Sequence, residues 1–259
     1  HPSAEWEIIG TTPIARVRLA RAPYRYQIRK AGFETLNETD AGFYYEVSLM
    51  RRFAYRLVPT GSDEATPPGM VRVPGHSLLS DFTGLAPIEL GDYWIDTYEV
   101  TNRAFKAFTD AGGYITENFW EQPFATADGR VLAWREAMAL FRDGTGTPGP
   151  ATWKNGRYPE GEDDFPVTGV SWFEAAAYAR FVGKRLPSIY HWRYAAPAKE
   201  LEHLVPFSNF QSDGPLPVGR RDNMDVHGTY DMAGNAKEWC WNEEAGGRRY
   251  ILGGGWREQ

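Results

Sequence analysis

The sequence predicts an α+β fold in which a small all-β domain precedes a larger, loop-rich one. Three observations predict it. Glycine (27) and proline (18) are abundant among the 259 residues, which favours turns and irregular chain over a helical bundle. Residues 5–58 consist of short strand-like segments joined by turns, whereas capped helical patterns begin only beyond residue 100. Between the two, residues 59–68 contain Gly61, Ser62, Asp63, Glu64 and the Pro67–Pro68 pair, the composition of a linker. The expected division is therefore 1–58, 59–68 and 69–259.

Within the first part, Arg16-Val17-Arg18-Leu19 and Tyr24-Arg25-Tyr26-Gln27-Ile28-Arg29 alternate polar and apolar side chains, as half-buried strands do. Ala31-Gly32 ends the second, and Phe43–Leu49 is a third candidate. In the larger part a strand is expected over Tyr93–Tyr98. A first helix starts at Thr101-Asn102, places Phe105 and Phe108 on one face and stops at Gly112-Gly113. A second is expected over Leu132–Phe141. The third has Ser171 as its cap, Glu174 completing a Ser-x-x-Glu capping box, and Gly183 at its end. A shorter helix runs from Ser188 to Ala196 and is stopped by Pro197. A last strand is expected over Tyr250–Gly253.

Composition narrows the functional classes. The chain is 42% hydrophobic and 24% charged with ten tryptophans, a globular and not a disordered composition. A net charge of −6 disfavours nucleic acid as a partner, and the arginines near the start (Arg16, Arg18, Arg21, Arg25, Arg29) are spaced singly, as on a solvated face. One cysteine cannot form an internal disulfide. There is no apolar run of about 18 residues or more and no signal-peptide pattern, so no membrane segment is expected in this stretch. The abrupt start at His1 and the placement of Trp256 beside the end lead to the expectation that the sequence is truncated at both ends. Compartment is left open.

Four segments occur together and in order. They are Tyr93-Trp94-Ile95-Asp96-Thr97-Tyr98-Glu99-Val100-Thr101-Asn102; Phe165-Pro166-Val167-Thr168-Gly169-Val170-Ser171-Trp172-Phe173-Glu174-Ala175 running into Gly183-Lys184-Arg185-Leu186-Pro187-Ser188; Gly228-Thr229-Tyr230-Asp231-Met232-Ala233-Gly234-Asn235-Ala236-Lys237-Glu238-Trp239; and Tyr250-Ile251-Leu252-Gly253-Gly254-Gly255-Trp256-Arg257. Across roughly residues 69–257 the chain resembles the formylglycine-generating enzyme (sulfatase-modifying factor) family. The resemblance implies a C-type-lectin-like fold. Gly149-Pro150-Ala151-Thr152-Trp153, Ile189-Tyr190-His191-Trp192 and Lys237-Glu238-Trp239-Cys240-Trp241-Asn242 resemble a bacterial subgroup in which this domain follows a serine/threonine kinase. In front, Gly10-Thr11-Thr12-Pro13-Ile14 and Tyr24…Lys30-Ala31-Gly32-Phe33 resemble a PEGA-type β module.

The family's oxidases bind copper(I) with a cysteine pair and use oxygen to convert a substrate cysteine to formylglycine. Soft thiolates suit copper(I). In the family that pair lies downstream of the Gly-Gly-x-Trp-Arg element, and this sequence ends where that element finishes. Cys240, between Trp239 and Trp241, has two readings, a copper ligand or a small buried hydrophobe, and the second is adopted. No catalytic residue is therefore assigned, and copper would enter only with cysteines beyond residue 259.

A hard cation fits the pattern better. A tight Gly-Asn turn can present an amide oxygen, backbone carbonyls and a carboxylate together. The resemblance implies a structural calcium there, held by Asn235 and Glu238 with backbone oxygens of Gly234 and Ala236. A second family calcium maps onto Asn209 and Phe210. The alternative is a plain turn with Glu238 in an ion pair. His191 replaces an acidic residue common in the family and is read as a hydrogen-bonded or exposed imidazole, and the run Glu160-Gly161-Glu162-Asp163-Asp164 as a solvated turn. Related ergothioneine-forming enzymes bind iron through an additional helical bundle, which has no counterpart in this sequence. The functional expectation is a non-catalytic sensor or binding module of a kinase-linked protein, with an unidentified polypeptide or small ligand as partner. The alternative is a copper-dependent oxidase of protein cysteine.

Overall fold

The computed structural model describes residues 6–14, 17–18, 24–40, 56–62, 64–78, 88–126, 129–196, 204–244 and 246–258. Helices and strands are both present, short, and separated by long turns. The elements are β1 (Tyr24–Ile28), β2 (Leu36–Asp40), β3 (Met70–Val73), β4 (His76–Leu78), β5 (Ile88–Leu90), β6 (Tyr93–Asp96), α1 (Asn102–Asp110), α2 (Trp134–Met138), α3 (Trp172–Phe181), α4 (Ile189–Ala195), β7 (Glu238–Glu243) and β8 (Arg249–Leu252). The strands form four antiparallel pairs, β1–β2, β3–β6, β4–β5 and β7–β8. In β1–β2, Tyr26 stands opposite Glu38; in β3–β6, Arg72 stands opposite Trp94.

Local chemistry accounts for the helices. Thr101 sits in extended backbone and its hydroxyl accepts from the Ala104 amide, so α1 begins with one of its free donors satisfied. Phe105 and Phe108, three residues apart, share the buried face of α1. At α3 the capping box is complete: the Glu174 amide donates to Ser171 Oγ, and the Ser171 amide donates to Glu174 Oε2 at 2.7 Å. The other oxygen of Glu174 accepts from the buried Tyr114 hydroxyl at 2.6 Å. The cap thus also ties α3 to the loop after α1. Ser188 caps α4 through its hydroxyl alone, which accepts from the His191 amide at 3.2 Å.

The expected helix over 132–141 shrinks to Trp134–Met138. Leu132 is drawn into extended pairing, its amide donating to Phe124 O at 2.8 Å, and Arg142 bridges Pro148. Ala133, at the cap position, has no side chain that could accept. Of the expected strand 16–19, Val17 and Arg18 lie in no strand and the other two residues fall outside the described set, as does 43–49. Residues 59–68 are tied at several points. Pro59 bridges Phe33, the Thr60 amide donates to Gly32 O, and the Thr66 amide donates to both Glu34 carboxylate oxygens.

Two aromatic-rich cores result. Phe105, Phe108, Tyr114, Trp120, Phe124, Leu132, Trp153 and Ala177 form the first, between α1, α3 and the loops that connect them. Phe105 meets the fully buried Trp153 edge-on, with ring centroids 6.1 Å apart. Each such ring, taken out of water, contributes roughly 1.5–3 kcal/mol. Val73, Ile189, Trp192, Ala195, Met232 and Cys240 form the second, where β3, α4 and β7 meet. No described helix is long and apolar enough to cross a membrane.

Candidate functional site

The segment from Asp231 to Asn235 is a compound turn in which Asp231 (φ 59°), Gly234 (φ 83°) and Asn235 (φ 59°) all adopt left-handed backbone. Asp and Asn tolerate that region better than other side-chain-bearing residues. Gly234 has a second reason to lack a side chain. A Cβ there would lie 2.7 Å from Asn209 O, because the two stretches run side by side as a parallel bridge. The Gly234 amide donates to Gly253 O at 2.7 Å and the Asn235 amide to Asn209 O at 2.9 Å. Phe210 packs against the same turn, within 3.1 Å of where that Cβ would be. The two predicted calcium positions, 209–210 and 234–236, are therefore one cluster.

Asn235 is 1% exposed. Its Oδ1 accepts from Asn209 Nδ2 (3.0 Å) and the Leu216 amide (2.8 Å), while its Nδ2 donates to Glu99 Oε2 (2.6 Å) and Leu216 O (3.2 Å). The amide thus makes four hydrogen bonds, as many as it has sites. Glu99 also accepts from the Ala236 amide at 2.7 Å. Glu238 stands three residues past Asn235, at the first position of β7, and accepts from Trp192 Nε1 at 2.5 Å.

The electrostatics of this cluster are acidic. Burial, then the Glu238 and Asp231 carboxylates, hold Glu99 well above the usual carboxylate range, against hydrogen bonds from Ala236 and Asn235. Glu238 keeps some surface exposure, but its carboxylate is packed inside. Burial pushes it up to about 7, with Asp231 and Asp96 adding to the rise and Trp192 opposing it. Asp231 is raised by burial too, although Gly219 and Asn223 donate to it. Sequence reasoning missed Glu99, Asp231 and Asn223. The available signal was an acid flanked by uncharged residues, in Tyr98-Glu99-Val100 and in Tyr230-Asp231-Met232.

The donor set is hard oxygen, the kind calcium takes. It fits in part. Asn209 Oδ1 is a buried oxygen with no hydrogen-bond partner, and the Glu238 and Asp231 carboxylates raise Glu99, which a cation would relieve. Asn235 Oδ1 is occupied by two donors, and no group of three His, Cys, Asp or Glu side chains among the described residues is arranged to hold a metal ion. Copper does not fit. The one cysteine, Cys240, is fully buried in the second core. Burial, followed by Glu238, pushes its thiol up to about 12, the reverse of a metal-binding or reactive thiol.

His191 hydrogen-bonds through Nδ1 to Ser188 Oγ at 2.5 Å and meets Tyr93 edge-on; burial lowers its pKa. The acidic run forms turns, with Asp163 accepting from Tyr158 and Asp164 paired with Arg103.

The serine/threonine-protein kinase Pkn1 of Chlamydia trachomatis is 31% identical over 161 residues, covering 59% of this chain and 23% of the kinase. The formylglycine-generating enzyme of Bos taurus is 29% identical over 188 residues, covering 59% of this chain and 49% of that enzyme. For the Thermomonospora curvata formylglycine-generating enzyme the figures are 29% over 228 residues, 71% and 74%. The chain thus spans about a quarter of the chlamydial kinase and about half of the bovine enzyme. A family model described as a sulfatase-modifying factor enzyme 1-like domain matches residues 56–259, and the chain belongs to that family.

Proposed function

We propose that this domain is a non-catalytic binding module of a kinase-linked bacterial protein, taking a polypeptide or small ligand on its loops. The observation that carries the reading is the state of Cys240. The only thiol in the sequence is fully buried and held protonated, so these residues offer no thiolate to copper or to a substrate. The likeness to Pkn1 kinases from Chlamydia trachomatis and Chlamydia caviae supports the kinase linkage.

In this reading residues 1–58 are a PEGA-like β module, 59–68 the connection, and 69–259 a lectin-like domain. Calcium has a structural part. Glu238 and Asn209 would hold it with side-chain oxygen, Gly234, Ala236 and Phe210 with backbone oxygen, and Asn235 would keep the turn in shape. The ion would neutralise the acidic cluster and cross-link the turn to the 209–210 stretch.

The alternative, a copper-dependent oxidase of protein cysteine, draws on the 29% identity to formylglycine-generating enzymes. The two separate on the parent gene. Sequencing past codon 259 is expected to reveal no closely spaced cysteine pair; finding such a pair would transfer the proposal to the oxidase.

A further inference from the structure

The geometry points to a clasp: the β1–β2 hairpin is locked through Arg25 onto loop 219–231, so that hairpin and loop open and close as one unit. Arg25 Nη1 lies 3.2 Å from Asp222 Oδ1 and 3.4 Å from the Tyr230 hydroxyl, and its guanidinium lies over the Trp6 ring. At 28% and 21% side-chain exposure, Arg25 and Asp222 are only partly solvated, so the pair is screened less than one on the open surface. A second contact lies beside it. A Cβ on Gly228 would stand 3.3 Å from Val71 Cγ1 and 4.0 Å from Asn37 Cβ, so the loop's glycine is where β2, β3 and the loop converge.

From Arg25 the contacts continue inward. Tyr230 packs on Tyr98 with centroids 5.2 Å apart, and its amide donates to Thr97 O. Gly219 is pressed on the other side, since a Cβ there would come within 2.4 Å of Tyr98. The Gly219 amide donates to Asp231 Oδ2, and Asn223 Nδ2 donates both to Asp231 Oδ1 and to Ser208 Oγ, next to Asn209. Asn223 and Asp231 are nearly fully buried. Loosening the hairpin therefore loosens a loop whose underside is the polar network beside the acidic turn. The inference stands whether the domain is a binding module or an oxidase.

Hydrogen exchange on the full chain tests it, comparing Arg25→Asp, Asp222→Arg and the double reversal. Each single reversal is expected to speed exchange of the Gly219, Asp225 and Tyr230 amides by about fivefold or more. The Phe105 amide in α1 is expected to be unchanged, and the double variant to return to the original rates. Arg25→Gln, a milder change, is expected to give the same local acceleration if a reversal does not fold. Loop exchange unaltered by Arg25 substitution, acceleration spread equally to α1, or failure of the double reversal to restore protection would each overturn the clasp.

Discussion

Asp143 is 5% exposed and takes four hydrogen bonds: from the Thr145 amide (2.8 Å) and hydroxyl (2.6 Å) and the Thr147 amide (3.0 Å) on one oxygen, and from the Gly156 amide (2.7 Å) on the other. Burial alone would raise its pKa, but the donors from Gly156, Thr145 and Thr147 outweigh that and hold it at about 2. Its contribution to stability is full above its unfolded value near 3.8 and is lost as the pH falls towards 2. Asp143→Asn is expected to cost about 2 kcal/mol in urea unfolding at neutral pH, because a carboxylate with several amide donors is replaced by a group with one acceptor oxygen. Cys240 gives a second test at this scale. With its thiol buried and held protonated, alkylation at pH 8 is expected to be negligible in the folded chain and complete in denaturant. These two residues differ in how far they could be read in advance. A lone cysteine between tryptophans already suggested a buried hydrophobe. The role of Asp143 was hidden, because Gly156 meets it only through a turn closed 13 residues away.

Helices with local signals were the legible elements. Thr101, Ser171 and Ser188 each cap the helix that follows, using bonds that span three residues. Ser171→Ala is expected to cost about 1 kcal/mol in thermal unfolding. Strands β1, β6 and β8 were legible, β1 from its alternating side chains, whereas the alternation at Val17-Arg18 gave no strand. Strands β2, β3, β4, β5 and β7 went unseen because their pairing is fixed by partners, and Arg72 finds Trp94 across 22 positions. The site followed the same rule. The Gly234-Asn235 turn could be read from the chain, but the bond to Glu99 lies 136 positions away. If calcium sits here, a chelator is expected to lower the melting temperature by several degrees at pH 7.5, and Glu238→Gln to abolish that response. An unchanged melting curve on chelation would remove the ion from the proposal.

At the scale of the whole molecule, the acidic cluster ties stability to pH. Glu238 is raised to about 7 and Glu99 is raised well above its ordinary value, so the folded state holds more protons than the unfolded one between about pH 4.5 and 7. Without metal, stability is therefore highest when these carboxyls are protonated and declines as the pH rises through 7. Together with Asp143, this places the expected optimum near pH 4–5, and Glu238→Gln is expected to flatten the upper decline. Saturating calcium would oppose that decline, since it favours the ionised carboxylates. The most direct test of the binding-module reading is chemical. The full chain, given copper(I), oxygen and a cysteine-bearing peptide, is followed by mass spectrometry. A non-catalytic module leaves the peptide's cysteine unchanged; formylglycine in the peptide, formed in proportion to the protein added, would overturn the binding-module reading.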